Sequence, residues 1–189
     1  MISVEDFKKF CYGKNPTEYR CVTGPDYYYS QNDHVVRHRV KDGKDSELTV
    51  KRRKSGVSSQ DRLEIDLYFA PGTPPERIDS FLAAIGFKLC FKLVKTAHIF
   101  YLNKGSHSFS VVHYTVGKEE NGKLVDNKTF LEIEIDKQAK VTVERAKTLL
   151  REWKQELQQE FKELKEPLNE SLWEIFSGRQ YKQVEKEEK

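Results

Sequence analysis

Between Glu18 and Glu134 apolar and polar residues alternate with a period of two through most of the chain, the spacing of strands with one buried face. The runs are EYRCV, DYYYS, HVVRHRV, ELTVKRRK, RLEIDLYF, FKLCFKLV, HIFYL, SFSVVHYTV and FLEIEID. Turn-forming residues separate them, as in TGPD, KDGKD, NKGS and KEENGK. Elsewhere the period lengthens. Val4, Phe7 and Phe10 predict a helix over 3–11 with Ser3 as its cap. TPPERIDSFLAAIGF predicts a short helix at 74–85, opened by proline and followed by Gly86. Ala146, Leu149, Leu150, Trp153, Leu157, Phe161 and Leu164 recur at three and four, predicting a long helix from 142 that Pro167 stops. LNESLWEIF reads as a further short helix. The expected fold is α+β: an antiparallel eight-or-nine-stranded β-barrel with flanking helices and a C-terminal helical segment. One domain spans 1–189, with an N-terminal helix at 1–12, the strands at 18–136, C-terminal helices at 141–177 and a flexible tail at 178–189.

Composition narrows the classes. A chain of 189 residues is long enough to bury one continuous core, and its mean hydropathy of -0.74 with 33% charged residues puts much of that charge on a solvated surface. With 33 basic and 30 acidic residues the formal charge is only +3, which argues against a nucleic-acid binder relying on bulk charge. No apolar run fits a signal peptide or a spanning helix, so the expectation is a cytoplasmic protein without membrane contact. Cys11, Cys21 and Cys90 show no CxxC spacing, consistent with a reducing compartment and with no zinc knuckle. His34, His38, His98, His107 and His113 lack metal-ligand spacing, and no GxSxG or cysteine nucleophile stands out. Trp153 and Trp173 sit at apolar helix positions and read as packing. Tyr27, Tyr28 and Tyr29 read as core on one side of a strand and surface on the other.

The distinctive chemistry lies in where charge falls on the strands. Arg37 and Arg39 share one face, as do Lys51 and Arg53, then Arg62, Glu64 and Asp66, and finally Glu132, Glu134 and Asp136. Alternation of this kind fits the wet side of a one-sided antiparallel sheet. It also fits the lining of a closed barrel, where such charges are costly to desolvate unless they hold a ligand. The ligand implied is a compact polyanion with a divalent cation, the bases taking phosphate oxygens and the carboxylates taking Mg²⁺ or Mn²⁺.

The order DYYY, VVRHRV, ELTVK, RLEIDL, AAIGFKLCFKLVK, FLEIEID and SLWEIF resembles the CYTH superfamily of triphosphate tunnel metalloenzymes. That superfamily includes class IV adenylyl cyclases, thiamine triphosphatases, inorganic triphosphatases and tunnel-type RNA triphosphatases. The resemblance covers about residues 25–176. It implies an eight-stranded tunnel that grips a triphosphate through inward basic residues while paired glutamates hold the metal. Carried over by position, Arg37, Arg39, Lys51, Arg53, Arg62 and Lys95 would bind substrate. Glu64, Glu132 and Glu134 would be catalytic, and with Asp66 they would ligate Mg²⁺ or Mn²⁺.

The chain departs from the pattern in three places. Its candidate opening strand TEYRC offers Glu18 and Arg20 where the family has Glu-x-Glu-x-Lys. Ala97 stands where a basic residue usually follows Lys95, and His113 or Tyr114 stands at a usual aspartate. The implied function is a metal-dependent phosphohydrolase acting on inorganic triphosphate, a nucleoside triphosphate or thiamine triphosphate. A catalytically inactive nucleotide or polyphosphate binder and a class IV adenylyl cyclase-like activity are the alternatives. A polynucleotide enters only through a 5′-triphosphate end, and the oligomeric state stays open.

Overall fold

A computed structural model describes residues 2–32, 34–41, 45–53, 62–136, 141–168 and 170–179, with the side chains at 51–53 and 62–64 also outside the description. Its elements, in chain order, are α1 (Val4–Tyr12), β1 (Glu18–Gln31), β2 (His34–Lys41), β3 (Asp45–Arg53), β4 (Arg62–Tyr68), α2 (Pro75–Ala84), β5 (Lys88–Lys104), β6 (His107–Glu120), β7 (Lys123–Ile135), α3 (Val143–Glu160) and α4 (Leu172–Ser177). The fold is α+β, with a seven-stranded antiparallel sheet in the order β4-β3-β2-β1-β5-β6-β7. That order is open among the described residues, with β4 and β7 at its edges, so it does not bear out a closed barrel of eight or nine strands.

The lower count has a local cause. EYRCV and DYYYS are one strand, β1, running straight through Gly24 and Pro25; FKLCFKLV and HIFYL are likewise one strand, β5. Gly24 marks a close approach rather than a turn, because a Cβ there would lie 2.1 Å from the carbonyl oxygen of Val40 on β2.

The chain divides into two compact units. The first holds residues 1–22, 96–116 and 127–166. Here Phe7 and Cys11 of α1 and Leu149, Trp153 and Leu157 of α3 bury against Phe100 and Leu102 of β5 and Phe109 and Val111 of β6. Leu131, Ile133 and Ile135 of β7 pack onto the same core, so the apolar side of FLEIEID is helix-covered as its alternation implies. Helix α1 is capped by Ser3, whose hydroxyl accepts from the Asp6 amide at 3.1 Å. Helix α3 ends at Glu160 rather than continuing toward Pro167. Phe161 leaves helical geometry at φ -111°, ψ 90°, and packs its buried ring edge-on to Phe10, 5.5 Å away.

The second unit holds residues 23–95, 117–126 and 167–189. One face of its sheet buries Tyr29, Val36 and Leu48 beneath Ile78 and Leu82 of α2. On the other, Tyr28 of β1 stacks on Phe91 of β5 at 5.0 Å, and Phe91 stacks on Trp173 of α4 at 5.3 Å. Tyr28 and Tyr29 are therefore both buried, where sequence reasoning left one side of the tyrosine run at the surface. Helix α4 is fixed by a reciprocal cap between Ser171 and Glu174 and closes on left-handed Gly178 at φ 67°.

Candidate functional site

Strand register organises the charges of the second unit. Asp26 stands opposite Arg39, and Arg39 opposite Glu47. In the neighbouring row Tyr28 faces Arg37, Arg37 faces Thr49 and Thr49 faces Asp66. Directly opposed residues share a face, so two rows cross β1 to β4 on one side of the sheet. Farther along the ladder Lys51 pairs with Glu64 and Arg53 with Arg62, continuing the alternation by register. The side chains of these four candidates lie outside the described residues.

Arg37 and Arg39 do come together, but in contact with carboxylates that sequence reasoning left out. Nε and Nη2 of Arg39 each donate to one oxygen of Asp26 at 2.7 Å, a bidentate pair. Nη2 of Arg37 donates to Glu47 Oε1 at 3.0 Å and to Thr49 Oγ1 at 2.7 Å. Lys41 Nζ donates to Glu47 Oε2 at 2.6 Å. The Thr49 hydroxyl, with one hydrogen to give, lies 3.2 Å from Glu47 Oε1 and 2.9 Å from Asp66 Oδ1. Arg37 Nε is buried without a hydrogen-bond partner.

Asp26 and Glu47 are 1% and 6% exposed. Burial alone would raise the Asp26 carboxyl, but Arg39, by charge and hydrogen bond, with Arg37 and Lys95 behind it, holds it below the ordinary carboxylate value. Glu47 behaves the same way: burial opposes ionisation and Lys41 chiefly overcomes it. Arg39 is correspondingly raised; its burial favours the neutral form, and the adjacent Asp26 outweighs that. The cluster is thus ionised and internally paired. Lys95 belongs to it through its field at Asp26.

Glu132 is half-buried and Glu134 exposed on the stretch of β7 that belongs to the first unit. Among the described residues no three His, Cys, Asp or Glu side chains are close enough to hold a metal ion. Of the acids expected to hold a metal, the side chain of Glu64 lies outside the described residues, and Asp66 Oδ1 lies 2.9 Å from the Thr49 hydroxyl. Alternation could have found Glu47, two positions before Thr49 and four before Lys51 on the same face. Asp26 was masked by TGPD, which reads as a turn.

On the opposite face His38 is fully buried, its Nδ1 2.8 Å from Asp79 Oδ1 on α2 and its Nε2 3.2 Å from Ser46 Oγ. Tyr29 donates its hydroxyl to the same Asp79 oxygen at 2.6 Å. With Ser46 only 3% exposed, this chain of bonds anchors α2 to the sheet, in keeping with a packing role for His38.

Residues 11–166 match the family model of the CYTH domain. No curated protein matches the chain. Among solved structures, the PH1819 protein from Pyrococcus horikoshii is similar at 21% identity and a TM-score of 0.65, covering 94% of this chain and 94% of its own. A conserved hypothetical protein from Pyrococcus furiosus is similar at 20% identity and a TM-score of 0.61, with 88% and 92% covered. A chain of the Schizosaccharomyces pombe Mediator head module shares the fold at 9% identity and a TM-score of 0.54, with 82% and 89% covered. With more than half its length matched by the family model, this chain belongs to the CYTH domain family.

Proposed function

We propose that this chain binds the phosphate groups of a triphosphate compound on the charged face of β2 to β4, with Arg37 and Arg39 at its centre. The observation that supports it most is their convergence in a chain of a family that fits triphosphate tunnel proteins. A guanidinium offers five N–H donors in a planar fork, and phosphate oxygens match that geometry. The bond to Asp26 uses Nε and one Nη2 hydrogen of Arg39, leaving its far edge for a second acceptor. Arg37 keeps an unpartnered Nε inside the cluster. Lys95, Lys51, Arg53 and Arg62 are the further cations assigned to the ligand. Inorganic triphosphate, a nucleoside triphosphate and thiamine triphosphate are the candidate ligands.

The CYTH family is generally dependent on divalent metal, and the finer reading is hydrolysis of the phosphoric anhydride with Mg²⁺ or Mn²⁺. Glu64, Glu132 and Glu134 are the residues assigned to it. A second reading is a binder without turnover. It is favoured by one observation: Arg37, Arg39 and Lys41 are each already held by a carboxylate of the same chain.

Phosphate release from tripolyphosphate, ATP and thiamine triphosphate, with Mg²⁺ or Mn²⁺, separates the two. Turnover that disappears in the Glu132→Ala/Glu134→Ala double variant supports hydrolysis. Turnover unchanged in that variant overturns the assignment of both glutamates. Saturable binding of tripolyphosphate with no release under either metal supports the binder, and no binding at all overturns the phosphate reading itself.

A further inference from the structure

Among the described residues Asp26 and Glu47 are buried carboxylates of the phosphate face, and a phosphate-binding role for the arginines gives them no task. Stability alone does not account for them, because a buried ion pair contributes about as much as, or less than, apolar residues of the same volume. Their partners are specific: Asp26 holds Arg39 by both oxygens, and Glu47 spans Arg37 and Lys41. These are the cations that would otherwise meet a ligand at full charge.

We propose that Asp26 and Glu47 are built-in counter-ions that set the charge selectivity of this face, holding the two arginines in place while penalising the more highly charged of competing phosphate anions. The inference rests on the reading that the face binds phosphate. Repulsion between a fixed carboxylate and a bound anion grows with the charge of the anion, as the attraction of a guanidinium does, so each carboxylate cancels part of the preference that its cations have for the more highly charged anion. The wild-type face should therefore favour longer polyphosphates less steeply than its cations alone would dictate. Rejection of competitors through a repulsive group is a common device of specific sites.

The Glu47→Gln variant tests this in the full chain. Its amide oxygen still accepts from Arg37 and Thr49, and Lys41, whose side chain is 42% exposed, can turn to solvent, so the fold is retained. Orthophosphate, pyrophosphate and tripolyphosphate are titrated calorimetrically at pH 7 into wild type, Glu47→Gln and Asp26→Asn. Glu47→Gln should tighten tripolyphosphate about tenfold and pyrophosphate less, through lost like-charge repulsion. Glu47→Asp should return the wild-type ranking. Asp26→Asn should act in the same direction, and if it unfolds, Glu47→Gln alone decides. Wild type that binds tripolyphosphate while Glu47→Gln binds it no tighter, or shifts all three anions by one factor, overturns the counter-ion role and leaves the phosphate reading standing. No binding of any anion by any of these proteins overturns the phosphate reading and this inference with it.

Discussion

Replacing Arg39 by methionine removes a charge while keeping most of the side chain's length, and it strands Asp26. That carboxylate is 1% exposed and takes both of its short hydrogen bonds from Arg39. Breaking a buried pair from one side typically destabilises by about 3–5 kcal/mol. The Arg39 side chain is 23% exposed, so water can reach the vacated site and the lower end, about 3 kcal/mol, is expected. The pH dependence gives the argument a second edge. In the wild type the Asp26 carboxyl lies below its unfolded value, so the pair's contribution is complete above about pH 4 and fades as pH falls through the folded value. Arg39→Met removes the two largest contributions that oppose burial, leaving only Arg37 and Lys95, so the carboxyl is expected to rise above the unfolded value. The penalty of the variant should therefore be largest at pH 7 and shrink toward pH 4. Urea unfolding of both proteins at the two pH values measures it. Adding Asp26→Asn to Arg39→Met should recover most of the loss at pH 7. A loss below about 1 kcal/mol, or one that does not change with pH, would refute the claim that Asp26 depends on Arg39 for its charge.

Two further outcomes follow from groups in the first unit and from the thiols. His98, whose Nδ1 is 2.8 Å from the Tyr19 hydroxyl, is held below the ordinary histidine value chiefly by burial, with Lys8 and His113 adding to it and Glu5 opposing. The unfolded chain therefore binds this proton first, so stability should fall as pH drops below about 6.5, and His98→Gln should flatten that slope in thermal melts. Cys11 is buried against the α1–α3 core and its thiol is pushed up to about 12 by burial, whereas Cys21 and Cys90 are exposed. A chromogenic disulfide reagent at pH 8 should label two thiols quickly and the third only on unfolding; rapid labelling of all three would mean that α1 is not docked as described.

Much of the architecture was legible because it is a matter of periodicity. The apolar spacing of α1, α2 and α3 and the alternation of β2, β3, β4 and β7 were visible in the residues. What misled were residues whose usual meaning depends on what lies beside them in space. Gly24 and Pro25 suggested a turn, yet the glycine is there because β2 passes too close for a Cβ, and so two expected strands are one. Phe161 continued a helical pattern, but its ring is buried beside Phe10, nearly the whole length of the chain away, and the backbone follows it out of the helix.

The candidate site divides along the same line. Alternation assigns Arg37 and Arg39 to one face without reference to any other strand, and that much was readable. Which group meets each guanidinium is set by register between strands, and register is long-range information that a single strand does not carry. A residue-by-residue transfer of family positions brings over cations and acids as separate inventories, phosphate grips on one side and metal ligands on the other. The ladder instead mixes them: Asp26, Arg39 and Glu47 stand in one row, Arg37, Thr49 and Asp66 in the next. A face built that way presents the edges of guanidinium groups rather than a bare positive field. Its affinity for an anion then depends less on how many bases the sequence contains than on how far the ligand can compete with carboxylates already in place. Counting basic residues on strands accordingly overstates the pull of such a face, and the carboxylate opposite each one is the quantity that decides it.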